Sequence, residues 1–181
     1  NTTLLKYLTI LKQNSYRLLR LVNNVLDISK LENNFTDLTL LNCNIINIVE
    51  NIVLSTCDYL EQNNKNIIFD TDEEEVFLSC DPDKIEKVIL NLISNSLKFT
   101  DDNGEIKVII STDYKSNRLF IHVQNNGPEI SIEDSKKIFS KYIQSDHLFT
   151  SENQGTGIGL FLCKSFVELH GGEIWVNPNF K

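Results

Sequence analysis

Asn91-Leu92-Ile93-Ser94-Asn95-Ser96-Leu97-Lys98-Phe99-Thr100 and Gly155-Thr156-Gly157-Ile158-Gly159-Leu160 decide how this chain reads. In the first segment Asn91, Asn95 and Lys98 are spaced by four and three, so they share one helical face. Ile85, Val88, Ile89, Leu92 and Ile93 form the apolar face of the same helix. Asp81 caps its start, and Pro82 takes the first position, where a missing N–H costs nothing. An amide oxygen can ligate a hard divalent cation, and a lysine suits phosphate oxygens. The second segment is a glycine-rich turn opening a helix, where backbone N–H groups can approach phosphates. Each signal is weak alone, because polar stripes are commonly solvated and loop glycines are common. Set together, they describe two walls of one nucleotide pocket.

Outward from these segments the pattern alternates between helix and strand. Leu4, Leu8, Leu11, Ser15, Leu18, Val22, Val25 and Ser29 step by four and three, and Leu5, Leu19 and Leu26 widen the stripe. This predicts an amphipathic helix of the kind found in four-helix bundles, ended by Glu32-Asn33-Asn34. Such a stripe needs a partner helix from outside residues 1–181 or from a second copy. Leu38–Cys43 reads as a strand, and Asn44 caps a helix running to about Asn63. Asn66–Phe69 and Val76–Cys80 read as strands around the acidic turn 70–75. Glu105–Ser111 and Arg118–Gln124 read as a hairpin. Ser131–Phe139 is a short helix, Leu148–Thr156 a polar loop, Gly157–His170 a helix stopped by Gly171-Gly172, and Glu173–Val176 a last strand. The fold class is α+β: a two-layer sandwich with a mixed, mostly antiparallel sheet and helices on one face, plus the N-terminal bundle helix.

Composition narrows the function. The 181 residues carry a net charge of −8 and show no basic cluster, which argues against nucleic acid as a partner. A hydrophobic fraction of 41% is enough for a buried core. No apolar run approaches the ~18 residues of a membrane span, so membrane attachment is expected only through segments outside this stretch. The sequence starts at Asn1 with no visible signal peptide and reads as a piece of a longer chain. Cys43, Cys57, Cys80 and Cys163 are widely spaced, without a CxxC pair, as expected of free thiols in a reducing compartment.

In this order and at these distances the segments resemble the ATP-binding domain of sensor histidine kinases. That domain belongs to the superfamily shared with gyrase, the mismatch-repair ATPase and the ninety-kilodalton heat-shock chaperone. Residues 81–100 look like the N box, and Asn125-Asn126-Gly127-Pro128-Glu129-Ile130 stands at the first glycine box. Ile138-Phe139-Ser140-Lys141-Tyr142 resembles the F box, and Gly155–Leu160 the second glycine box. Glu168–Ile174 follows as the helix-to-strand passage. Ser15–Glu32 is similar to the second helix of the kinase dimerisation domain, which separates histidine kinases from the other branches. The resemblance implies a Bergerat-type ATPase fold, with residues 1–34 as part of the dimerisation domain and 35–181 as the ATP-binding catalytic domain. It implies ATP and Mg²⁺ as cofactors, with Asn95 on the metal and Asn91 and Lys98 near the phosphates. Phe99 would lie against the nucleotide, Asn125 would face the adenine, and Gly127 would be a further cofactor-binding residue. Lys141 would reach the phosphates from a lid spanning about 128–154. Gly155, Gly157 and Gly159 would let that lid close over the triphosphate, with Thr156 as a cofactor-binding residue of the same turn and Leu160 near the base or helix start. The implied protein is a cytoplasmic homodimer, paired through the N-terminal helix. It passes a phosphoryl group to a histidine and then to the receiver domain of a response regulator.

Three departures stand out. Asn125 replaces the Asp that accepts from the adenine amino group. Losing a charge-assisted bond costs about 1.5–3 kcal/mol, or tenfold to over a hundredfold in affinity. Glu129 replaces a glycine, with strain expected if the backbone has positive φ and repulsion expected near phosphates. The phosphoacceptor is absent: His122, His147 and His170 lie off the bundle helix, so the catalytic histidine is expected upstream. These departures leave a competing reading, a degenerate pseudokinase that dimerises and regulates with weak or no ATP binding. The family also adds a strand after Trp175-Val176, where this sequence closes with Pro178-Asn179-Phe180-Lys181; an exposed sheet edge is the expected result.

Overall fold

The computed structural model describes residues 2–33, 35–143 and 157–177. Helix α1 (Thr2–Glu32) leads into β1 (Leu41–Asn44), α2 (Ile45–Glu61), β2 (Asn66–Thr71), β3 (Phe77–Cys80) and α3 (Pro82–Phe99). The hairpin β4 (Glu105–Asp113) and β5 (Arg118–Asn125) follows, then α4 (Ile132–Lys137) and α5 (Gly159–Leu169).

Local chemistry starts and stops these elements. Asn44 caps α2 by accepting from Ile46 N–H at 3.2 Å. Asp81 caps α3 by accepting from Lys84 N–H at 3.1 Å, with Pro82 in the first turn. Ser131 caps α4 through Asp134 N–H. Past α5, Gly172 N–H reaches Val167 O and Gly171 N–H reaches Glu168 O, the paired bonds of a Schellman end. Gly171 has φ +75° with open space around it, so backbone conformation rather than crowding calls for glycine there.

The strands form two hydrogen-bonded sheets rather than one. β1 pairs antiparallel with β3, while the second sheet has the order β2-β4-β5, its first pair parallel and its second antiparallel. The strands flanking turn 70–75 therefore pair with other elements, not with each other. Residues 172–177 do not join a ladder, contrary to the expected last strand. They run beside β5 through side chains instead, with Trp175 edge-on to Phe120 at 6.2 Å and Glu173 at 4.0 Å from Arg118.

Alternation along β4 buries Ile106, Val108 and Ile110 completely. They meet Val49 and Val53 of α2 and Ile89 and Ile93 of α3 in the main core. On the far side of α3 a second core joins Val88 to Leu162, Cys163 and Phe166 of α5 and to Ile28 of α1. Helix α3 is thus held from two sides, which fixes its polar stripe in space. Burial pushes the Cys163 thiol up to about 12, and burial with a nearby Cys43 pushes Cys80 up to about 11, so both act as packing groups.

Helix α1 has two different faces. Ile28 and Leu31 pack into the second core, and Asp27 pairs with Lys87 of α3 at 2.6 Å. The bundle stripe points elsewhere: Leu8, Leu11, Leu18, Leu19, Val22, Val25 and Leu26 are 49–63% exposed. The face that docks on the rest of the chain is therefore not the heptad face.

Candidate functional site

A cavity of about 770 Å³ runs along α3 and β5, from the end of α5 and residues 172–177 to the start of α5 and to Arg20 and Asn24 of α1. The nucleotide corner, between α3, the end of β5 and the start of α5, is one part of it. Asn91, Asn95, Lys98, Phe99, Asn125, Gly127, Gly157, Gly159 and Leu160 all line it. Segments separated by dozens of residues in sequence thus share one wall.

Close packing explains two of the glycines. A Cβ on Gly127 would stand 2.0 Å from Phe99 O and 2.7 Å from Asn125 Nδ2, so the loop after β5 seats directly on the end of α3. A Cβ on Gly159 would come within 2.9 Å of Asn91 Oδ1, so the first turn of α5 abuts that amide. Among the described residues no side chain caps α5, whose first residues, Gly159 and Leu160, line the cavity; a helix start of this kind suits an anion. Gly157 has φ +66°, and its carbonyl accepts from Tyr142 N–H at 3.0 Å. That bond brings together the two chain ends that flank residues 144–156.

Other expectations fare differently. Gly155, Thr156 and His147 lie outside the described residues. Lys141 is not on the cavity wall: its Nζ sits 2.5 Å from Glu32 Oε1 at the end of α1 and 4.8 Å from the centre of the Phe161 ring. Glu129 lines the cavity but does not have positive φ, so the backbone strain expected from losing glycine is absent. Asn125 ends β5 and faces the cavity, while its neighbour Asn126 is occupied in accepting from Glu105 N–H.

The histidines have structural surroundings. His170 accepts from Asp81 N–H at Nε2 (3.0 Å), so its proton sits on Nδ1, which donates to Phe166 O at 2.7 Å. It ties the end of α5 to the cap of α3. His122 lies 3.2 Å from Ser111 Oγ, and burial lowers its pKa. For Asp81, burial pushes the carboxyl up, but the N–H groups of Thr39 and Lys84 outweigh it and hold the group below its ordinary value.

Sequence reasoning did not find two residues of the cavity wall, Arg20 and Asn24 of α1. Asn24 is buried despite its position between the stripe residues Val22 and Val25. A polar pair at i and i+4 on an amphipathic helix was the available signal, but it becomes meaningful only once α1 is docked.

An open cavity walled by an amide-rich helix, a glycine-seated loop and a helix start, on this α+β frame, defines an ATP-binding module. Residues 80–180 match the family described as histidine kinase-, DNA gyrase B-, and HSP90-like ATPase, and the chain belongs to it. Within that family it is the catalytic ATP-binding domain of the sensor histidine kinase type. It is 35% identical over 178 residues to the hybrid signal transduction histidine kinase D of Dictyostelium discoideum, covering 95% of this chain and 11% of that protein. Over 172 residues it is 32% identical to histidine kinase P4 of Formosa agariphila, covering 93% and 12%. The chain therefore spans only a small part of these curated relatives. Among solved structures it matches histidine kinase ThkA in complex with the response regulator protein TrrA, with a TM-score of 0.73 and 27% identity, covering 96% of this chain and 47% of that one.

Proposed function

We propose that this chain binds Mg²⁺-ATP in the cavity on α3 and positions it for phosphoryl transfer to a histidine on another segment of the full protein, and thence to an aspartate of a receiver domain. The observation that carries the reading is the meeting of Asn91, Asn95, Lys98, Asn125, Gly127 and Gly159 on one cavity wall. The donor set fits the group. Asn95 offers an oxygen of the kind Mg²⁺ accepts while it keeps waters and phosphate oxygens as further ligands. Lys98 and the start of α5 suit the phosphates, and Gly127 leaves the loop flush with Phe99, where a side chain would intrude. When bound, Mg²⁺ neutralises charge on the phosphoryl oxygens. The residues of this chain hold the triphosphate, orient its terminal group and shield it, which is what phosphoryl transfer needs. Gly155 and Thr156 belong to the same proposal as residues of the glycine-rich turn that follows the lid.

The same reading makes residues 1–34 a bundle helix and 35–181 the ATP-binding unit. The exposed heptad face of α1 supports pairing with a second copy, and the complex of ThkA with its regulator supports a receiver domain as downstream partner. A cytoplasmic setting follows from the ATP requirement. Among the described residues, no helix is long and apolar enough to cross a membrane.

Calorimetric titration with ATP and Mg²⁺ tests the proposal. Binding at micromolar to sub-millimolar ATP is expected, with Asn95→Ala weakening it at least tenfold while the thermal unfolding of the unliganded chain stays unchanged. Absence of binding at millimolar ATP would sink the reading. For dimerisation, sedimentation should show self-association that Leu18→Glu with Val25→Glu abolishes; an equally monomeric parent would count against it.

A further inference from the structure

We propose that Arg20 of α1 is a phosphate-binding residue of the cavity, so that the bundle helix supplies part of the nucleotide site. The proposal rests on the ATP reading above. Arg20 lines the cavity, and its Nη1 donates to Ser94 Oγ at 3.2 Å. Ser94 lies three residues after Asn91 and four before Lys98, so it sits within the polar stripe of α3. Ser94 is not itself on the cavity wall, but Arg20 lines the cavity together with Asn91, Asn95 and Lys98, the amides and the lysine expected at the phosphates. The bond to Ser94 takes one of its five N–H groups, and a planar fork suits phosphate oxygens.

Its position is fixed by the turns below it. Asn24 is 9% exposed, Asp27 pairs with Lys87 at 2.6 Å, and Ile28 is buried in the core of α5. Charge balance points the same way. Lys141 pairs with Glu32 and does not line the cavity wall, while Glu129 places a carboxylate there. Among the described residues, Arg20 and Lys98 are the lysine or arginine side chains on that wall. If the accepting histidine is carried by the helix that pairs with α1, the group to be transferred faces α1, whose cation on the cavity is Arg20. It therefore serves the terminal phosphate, and ADP should not feel its loss in the same degree.

The test titrates the 181-residue chain with ATP and with ADP, each with Mg²⁺, for the parent, Asn95→Ala, Arg20→Gln and Arg20→Lys. Arg20→Gln should weaken ATP about tenfold and ADP less than about twofold, with Arg20→Lys recovering part of the loss. Equal affinity of Arg20→Gln and parent for ATP would overturn the assignment. So would an equal loss for ATP and ADP, the mark of a purely structural role in docking α1. If Asn95→Ala weakens ATP but Arg20→Gln does not, the nucleotide site stands and the arginine's role falls. If the parent itself binds neither nucleotide, both fall together.

Discussion

Gly127→Ala should damage nucleotide binding by moving backbone, not by removing a contact. The added Cβ would stand 2.0 Å from Phe99 O and 2.7 Å from Phe99 C. Ordinary contact begins at 3.4 Å, so a separation of 1.4 Å must open between the loop and α3. Phe99 O belongs to a helix end pinned by Thr100, whose N–H and hydroxyl both donate to Ser96 O at 2.8 and 2.7 Å. The loop must therefore yield, and it carries Asn125. Overpacking of this kind costs about 1–3 kcal/mol of stability. A shift of this size also breaks a hydrogen bond that Asn125 accepts from a bound base, since a bond near 2.9 Å does not survive stretching beyond about 3.5 Å. Losing it costs about 0.5–1.5 kcal/mol, or roughly twofold to twelvefold in affinity. Urea unfolding and ATP calorimetry on Gly127→Ala and Gly127→Ser measure both quantities. If both variants match the parent in midpoint and affinity, the loop does not seat on α3 as described and the argument fails.

Asn125→Asp should tighten ATP binding by about tenfold, since a carboxylate accepts more strongly than an amide; an unchanged calorimetric affinity would show the amide to be an adequate acceptor. Asp81→Ala should destabilise the fold by about 1–2 kcal/mol through loss of the α3 cap and of the bond from Thr39 N–H, read as a lowered urea midpoint. Because the folded carboxyl titrates below its ordinary 3.8, its contribution is present above that pH and fades as pH falls through the lower folded value; the gap between parent and variant should therefore close in acid. His122 is depressed below 6.5 by burial, so the folded state resists protonation. Stability is retained above pH 6.5 and lost as pH falls below it, with a slope of at most about 1.4 kcal/mol per pH unit, and His122→Gln should remove that component from a pH series of unfolding curves.

What could be read from the sequence was what depends on neighbours in the chain. Asn44, Asp81-Pro82, Ser131 and Gly171 mark element ends because capping uses atoms within five residues. The nucleotide helix and the β4–β5 hairpin were legible for the same reason. Pairing between distant strands was not: nothing local in Asn66–Thr71 says that its partner is β4 in parallel register. The departure at Glu129 looked costly because glycine permits positive φ, but this backbone does not use it. Tyr142, by contrast, does adopt φ +61°, and no signal in its sequence predicts that. Lys141 was expected at the phosphates from its place in the F-box resemblance. Its ion pair with Glu32 joins residues 109 apart and depends on how α1 lies, which local sequence does not encode.

The docking of α1 then carries a thermodynamic consequence. Arg20 to Ser94, Asp27 to Lys87 and Glu32 to Lys141 are polar contacts among the described residues that tie this helix to the rest of the chain. The middle pair stands beside the buried Ile28, while the outer two sit at either end of the docked turns. Both outer contacts use groups that a triphosphate would also attract, but in opposite senses. Arg20 can keep its place on α1 and still bind phosphate, so ATP held by it favours the docked helix. Lys141 must leave Glu32 to reach a phosphate, so ATP held by it loosens the same helix. Linkage makes each effect reciprocal: a helix that strengthens nucleotide binding through Arg20 is itself held more firmly by nucleotide, by the same factor. The net sign depends on which cation the triphosphate engages. An exposed ion pair such as Glu32–Lys141 is worth at most about 1 kcal/mol, and Arg20 also acts from the exposed side of α1. Neither contact dominates, so under the proposed function the docking of α1 would depend on which of the two cations the triphosphate engages.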